Sequence, residues 1–292
     1  MERISFYDQI ARNKRNSIFL IVIVAAMIVI IGYAISFAFS QEYFFFIMII
    51  AIIFSTIYSL VGYSASDKIA IASVGAIKAD PTKYKQYYNS VEGLTYASGL
   101  PMPKLYIMDN PQINAFATGK DPKNSVICVT TGALEKLNKQ ELEGVLAHEL
   151  SHIANYDIRF MTLTAILVGM VSIISQIFLR SLWLGNRRDN NGKGGAIILL
   201  IGLILAILSP ILTALVQFAI SRKREYSADA TAVKFMRTPT GLIGALTKIK
   251  HNQEMKVAGS VSPLFFAKPN KAAELFSTHP PLDKRIAILE KM

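Results

Sequence analysis

The sequence predicts a mainly α-helical, multi-helix membrane protein carrying one small antiparallel β-sheet, and three observations say so. Four apolar blocks of about the length of a bilayer core punctuate the 292 residues, and three short β-like runs lie between the second and third of them. One helix start is written out in capping residues just ahead of two histidines four apart. Composition agrees, with 52% apolar residues and a mean hydropathy of +0.38.

Residues 17–39 run without a charge, and residues 43–65 form a second such run after the short gap holding Gln41 and Glu42. At a rise of about 1.5 Å per residue, either run crosses a hydrocarbon core of roughly 30 Å. Residues 1–65 therefore read as an outgoing and returning transmembrane hairpin. A cleaved signal peptide fits less well, because its apolar core spans only about 7–15 residues and no small-x-small cleavage site follows.

Residues 66–100 mix lysines with Ile, Tyr and Val at helical spacing and end on the breakers Gly99 and Pro101, so one or two helices fit there. Lys104–Asp109, Ile113–Gly119 and Ser125–Thr131 read as strands separated by Asn-Pro and Asp-Pro-Lys-Asn turns. Next comes a helix expected over 139–156. Asn138 and Glu141 form a capping-box pattern, and Leu137 and Leu142 stand where a hydrophobic staple stands. Gly144 lies one turn before His148 and is expected to leave room near a bound ion.

Residues 160–179 and 195–220 form the second apolar pair, kinked at Pro210, and read as a second membrane hairpin or as membrane-associated helices. The chain after 221 turns polar and amphipathic, with a helix near 241–256 and a closing helix from Leu282. A functional domain is thus expected in two parts, 66–159 and 221–292, split by residues 160–220.

The net charge of +11 does not mark a nucleic-acid partner, because the cations flank apolar blocks instead of lining a soluble domain. Arg3, Arg12, Lys14 and Arg15 precede the first block and Arg222, Lys223 and Arg224 follow the fourth, the bias of cytosolic flanks. Arg180, Arg187, Arg188 and Lys193, between the third and fourth blocks, run against that pattern. Cys128, the single cysteine, excludes an intrachain disulfide and reads as a buried thiol.

The chemistry concentrates in His148-Glu149-Leu150-Ser151-His152. Residues four apart share a helix face, so both imidazoles can aim a ring nitrogen at one ion while Glu149 acts on a metal-bound water, the pattern of a zinc hydrolase. Catalytic zinc needs a third protein ligand, and Glu225, just past the fourth block on the same membrane side, is the best candidate. A surface carboxylate paired with Arg222 or Lys223 is the other reading. Asp229, one turn further on, is spaced to accept the second ring N–H of a ligating histidine, and Ala228, Ala230 and Ala232 suit close helix packing. Asn155 and Asp157 read as helix-end caps and His251 as solvent-facing.

His148–His152, the Glu225-Tyr226-Ser227-Ala228-Asp229 segment, Asn114–Gly119 upstream and the late His279–Ile286 segment together resemble the HtpX membrane zinc metalloproteases. The resemblance implies a gluzincin-type zinc metalloprotease domain in which His148, His152 and Glu225 bind one zinc ion and Glu149 is the general base. It also implies a multi-pass protein of the cell membrane whose catalytic domain faces the cytosol and cuts misfolded or surplus membrane proteins. Asn114, Ala115, Phe116 and Ala117 are expected to hold an extended substrate as an added strand. His279 is a candidate donor to the tetrahedral oxyanion, with a turn histidine before Pro280-Pro281 as the other reading and Arg285 a possible structural residue. An intramembrane protease conflicts with Lys136, Lys139, Glu141 and Glu143 ahead of the motif, since charges in lipid are costly. A scaffold with structural zinc lacks a fourth ligand. The expected partners are the bilayer and membrane-protein or unfolded polypeptide substrates.

Overall fold

The computed structural model describes residues 6–38, 43–165, 222–250, 264–266 and 280–292. Two long helices open the chain, α1 (Phe6–Ala38) and α2 (Phe44–Ser64). Each contains a stretch long and apolar enough to cross a membrane, Ile10–Ile30 and Phe44–Ser64. They pack side by side, Ser55 Oγ donating to the Ala25 carbonyl at 3.2 Å, while Phe19, Phe45, Phe46 and Leu60 point outward. Large apolar side chains exposed along two long helices are what a lipid-facing hairpin presents. Of the expected second pair, 160–165 is helical, and 166–220 lies outside the described residues.

Helices α3 (Ser66–Ser73) and α4 (Lys85–Ser98) occupy the stretch read as one or two helices, and α4 stops at Gly99, whose φ of 70° only glycine adopts freely. Strands β1 (Ile77–Lys78), β2 (Lys104–Met108), β3 (Ala115–Gly119) and β4 (Ser125–Thr130) form a sheet in the order β1-β2-β4-β3. The expectation of a wholly antiparallel sheet fails at one ladder: β2 and β4 run parallel, Leu105 opposite Ile127, because β3 folds back outside β4 and takes the edge. Between β4 and α4, the Tyr87 hydroxyl donates to the Ile127 carbonyl. Cys128 is a buried free thiol, as expected.

A short helix, α5 (Thr131–Lys136), leads into α6 (Lys139–Ala154), the motif helix, which lies in the main core against α4, β3 and helices α7 (Arg222–Met236) and α8 (Thr240–Lys250). Its capping box is complete, Glu141 N donating to Asn138 Oδ1 at 2.9 Å and Asn138 N to Glu141 Oε2 at 2.8 Å. Leu142, Val145, Leu146, Leu150 and Ile153 are all buried in that core, so tertiary packing holds the helix more than propensity does. The last described helix is α9 (Leu282–Leu289).

Gly144 serves a purpose other than the expected one. A Cβ placed there would meet Leu242 N at 2.5 Å and the Gly241 carbonyl carbon at 2.7 Å, so this glycine admits the backbone of α8 and not an ion. Spacing fixes which helix face a residue occupies, but not what the fold brings against it. Gly144→Ala is expected to lower stability by about 1–3 kcal/mol through overpacking, despite alanine's better helix propensity. Gly93→Ala on α4, where nothing lies within 4 Å, is expected to raise it by up to about 1 kcal/mol. Thermal unfolding of both variants in detergent distinguishes the two signs.

Candidate metal centre

Two four-residue steps meet face to face. On α6, His148 and His152 project from one face; on α7, Glu225 and Asp229 do the same. The Nε2 atoms of the two histidines are 3.2 Å apart, and Glu225 brings Oε2 to 3.7 Å from the first and Oε1 to 3.6 Å from the second. All three side chains are buried, Glu225 being only 2% exposed. A four-coordinate ion with bonds of about 2.0–2.1 Å sets its ligand atoms roughly 3.3 Å from one another. The two Nε2 atoms meet that spacing, and one atom from each of the three residues lies within 4.8 Å of the others, close enough for a small turn of the Glu225 carboxylate to bring one oxygen onto a shared ion. Arg222 and Lys223 are exposed while Glu225 points inward, so the surface ion pair is not formed.

The far side of each imidazole is also engaged. His148 Nδ1 lies 2.9 Å from Asp229 Oδ1, and His152 Nδ1 lies 3.1 Å from Asp157 Oδ2. A carboxylate only accepts, so each ring carries a proton on Nδ1, and in its neutral form each has its Nε2 lone pair on the side of Glu225. Asp229 stands where its spacing suggested. Asp157 does not act as a simple cap: it reaches back five residues to His152, which an unbroken helix would place about 140° around the axis. The contact exists because α6 ends at Asn155 and Tyr156 takes a left-handed φ of 58° before helical geometry resumes at 157. The helix-end readings of Asn155 and Asp157 were the signals in the sequence for this break.

Behind Asp229 sits Arg285 of α9, fully buried. Its Nη2 donates to Asp229 Oδ1 at 2.6 Å and its Nε to Oδ2 at 2.9 Å, while Nη1 lies 3.7 Å from Glu225 Oε2. This two-pronged pairing fixes the carboxylate in plane and supplies the buried cation that two buried acids need. The Phe266 ring lies against both His148 and the Arg285 guanidinium. Ala228 and Ala232 are buried where α7 packs, whereas Ala230 faces outward. His251 and His279 lie outside the described residues.

Charge and burial divide the titrations. Burial pushes the His148 imidazole down to about 4, against the pull of its Asp229 hydrogen bond. At His152 burial works in the same direction, but the Asp157 hydrogen bond and the charges of Glu225, Asp157 and Glu149 outweigh it and raise the ring to about 9. Burial lifts the Glu149 carboxyl to about 7, opposed by His152 and by a hydrogen bond from the Ala117 N–H. Burial alone would raise Asp229, but the Arg285 charge holds it below the usual carboxylate range. A field that draws a proton onto a buried histidine is one that suits a cation.

The strand read as a substrate ladder is β3, at the sheet edge and one step from the site. Asn114, Ala115, Phe116 and Ala117 are all buried. The Ala115 and Ala117 backbone groups face away from β4. Ala117 N–H meets Glu149, and the Ala115 carbonyl accepts from Phe266 N at 2.7 Å, so part of the edge is taken by the chain itself.

Residues 81–292 match the family described as peptidase family M48. A protein described as "Protease HtpX homolog" from Caldanaerobacter subterraneus subsp. tengcongensis is 44% identical over 299 residues, covering 100% of this chain and 99% of its own. Another with that description, from Thermoanaerobacter pseudethanolicus, is 42% identical over 299 residues with the same coverage. In fold, the chain is similar to the crystal structure of S. mikatae Ste24p, with a TM-score of 0.50 at 19% identity, over 96% of this chain and 65% of that one. With its two apolar helices and its His-His-Glu cluster, the chain belongs to peptidase family M48, among the HtpX membrane metalloproteases.

Proposed function

We propose that the chain is a zinc-dependent endopeptidase, anchored in the cell membrane, that cleaves misfolded or surplus membrane proteins on the cytosolic side. The observation that carries this reading is the buried trio His148, His152 and Glu225 with Glu149 on the adjoining turn. Two neutral imidazole nitrogens and one carboxylate are a donor set that suits zinc and leave a position open. Zinc bound there would polarise the scissile carbonyl and bring the pKa of its water to about 7.

The chain's own residues supply the rest. Glu149, its carboxyl lifted by burial toward neutrality, takes the proton of the attacking water and passes it to the leaving amine. Asp229 and Asp157 hold the two rings, and Arg285 holds Asp229. An extended peptide adding to the edge of β3 would use the outward backbone groups of Ala115 and Ala117 within Asn114–Ala117, displacing the Phe266 N–H from the Ala115 carbonyl, and lie beside the base that Ala117 touches. Only an unfolded stretch can offer itself as a strand, which favours misfolded substrates. Basic residues Arg12, Lys14 and Arg15 at the start of α1, and Arg222 to Arg224 at the start of α7, support a cytosolic site.

The deciding experiment is zinc content and casein cleavage by the full chain in detergent. We expect one zinc per chain, activity lost to a chelator and activity restored by zinc; cleavage that persists without metal overturns the reading. Uptake of zinc near neutral pH must also expel the proton that His152 holds below about 9, so affinity rises as the pH approaches that value. Calorimetry in buffers of different ionisation heat measures the released proton.

A further inference from the structure

The membrane hairpin does more than tether. Asn13, in the first turns of α1, is only 4% exposed, and its Nδ2 donates to Asp157 Oδ1 at 2.6 Å and to the Asn155 carbonyl at 3.0 Å. One amide group therefore satisfies two oxygens of the turn that follows the motif helix, across more than 140 residues of sequence. Asp157 is fully buried, and its other oxygen takes His152 Nδ1. The carboxylate is thus held at both ends, one by the anchor helix and one by the imidazole.

The neighbouring residue grips the same turn. Lys14 Nζ sits 4.4 Å from the centre of the Tyr156 ring, and Tyr156 is the residue whose left-handed backbone swings Asp157 toward His152. Further along, Leu20 and Val24 of α1 and Tyr58 of α2 share a buried cluster with Phe160 and Leu163, which continue the chain beyond Asp157. The Arg224 charge also acts on Asp157, yet charge alone gives no direction. Asn13 supplies a bond along a fixed line.

We propose that Asn13 is a positioning residue for the metal site. By fixing Asp157 it holds the His152 ring in the orientation that presents Nε2, so that docking of the membrane hairpin sets the affinity for the metal. The inference rests on His148, His152 and Glu225 holding the ion. An outer hydrogen-bond partner of a ligating histidine is worth about 10–100-fold in metal affinity. Without Asn13, Asp157 Oδ1 stays buried with its donor gone, and the carboxylate is free to turn from His152.

The test is a double-mutant cycle on the full chain in detergent, with zinc affinity read by competition against a chromophoric chelator. Asn13→Ala is expected to weaken binding about tenfold. Alanine is the better helix former, so α1 itself is not weakened. In an Asp157→Asn background, Asn13→Ala should cause no further loss, because both changes cut one link. Ser17→Ala, one turn away, removes a buried hydroxyl that, among the described residues, bonds to the Asn13 carbonyl of its own helix, and should leave affinity unchanged. Unchanged affinity in Asn13→Ala, additive losses in the cycle, or an equal loss in Ser17→Ala would each overturn the proposal. Should Asn13→Ala fail to fold, Asn13→Ser, too short to reach Asp157, takes its place in the same cycle. A parent chain that binds no zinc sinks the site assignment instead, so the two failures are distinguishable.

Discussion

Glu149→Gln is expected to leave zinc bound and to reduce peptide-bond cleavage by roughly 10²–10⁴-fold, the usual worth of a general base. The change is nearly isosteric and keeps an oxygen that can accept the Ala117 N–H, so neither the helix nor the β3 edge is disturbed. What is lost is a group able to accept a proton. Burial suits the native carboxyl to shuttling one, because at about 7 it is basic enough to take a proton near neutrality and acidic enough to return it. Casein cleavage and zinc content measured on the same preparation settle the point. Cleavage at the parent rate would remove Glu149 from the mechanism, and loss of zinc would make it a ligand instead.

Glu225→Ala is expected to abolish zinc retention, a larger effect than the about 10–100-fold that loss of an outer partner causes. Both histidine Nε2 atoms face this carboxylate, so on the proposed reading its removal would take away one ligand and the negative charge that balances the ion. It also leaves Arg285 Nη1 in the core with its nearest acid gone, 3.7 Å away in the parent. A second cost follows from this: a buried cation losing one of two counter-charges destabilises the fold around α9. Metal analysis after gel filtration and an unfolding curve should therefore both respond. A variant that keeps a full complement of zinc would refute ligation by this residue.

The parts of the site that were legible in the sequence depend on local geometry. The cap at Asn138, the face shared by His148 and His152, and the step from Glu225 to Asp229 each follow from helix periodicity within a few residues. What escaped depends on where the chain stops being periodic. Asp157 looks like a cap until the left-handed Tyr156 turns it back, and a bulky residue at that φ is not what spacing rules anticipate. Gly144 was placed on the right face but given the wrong neighbour, since nothing within α6 says that Gly241 of α8 will cross there. The parallel pairing of β2 with β4 is similarly non-local: residues 113–119 lie between the two runs in sequence, yet β2 and β4 pair directly. Asn13 had no signal at all, being a lone amide in α1 ahead of its apolar stretch.

The positions that meet at the centre carry a consequence for when activity appears. Asn13, His148, His152, Asp157, Glu225, Asp229 and Arg285 are joined by direct contacts but span 272 positions of sequence, 285 less 13. A nascent chain that has reached α7 owns every candidate ligand and still lacks the guanidinium that neutralises Asp229 and Glu225, leaving buried acids uncompensated. Contacts of such long sequence separation form late in folding. A partly translated copy is therefore expected to hold the candidate ligands without a working site, cleavage starting only once α9 has brought Arg285 against Asp229.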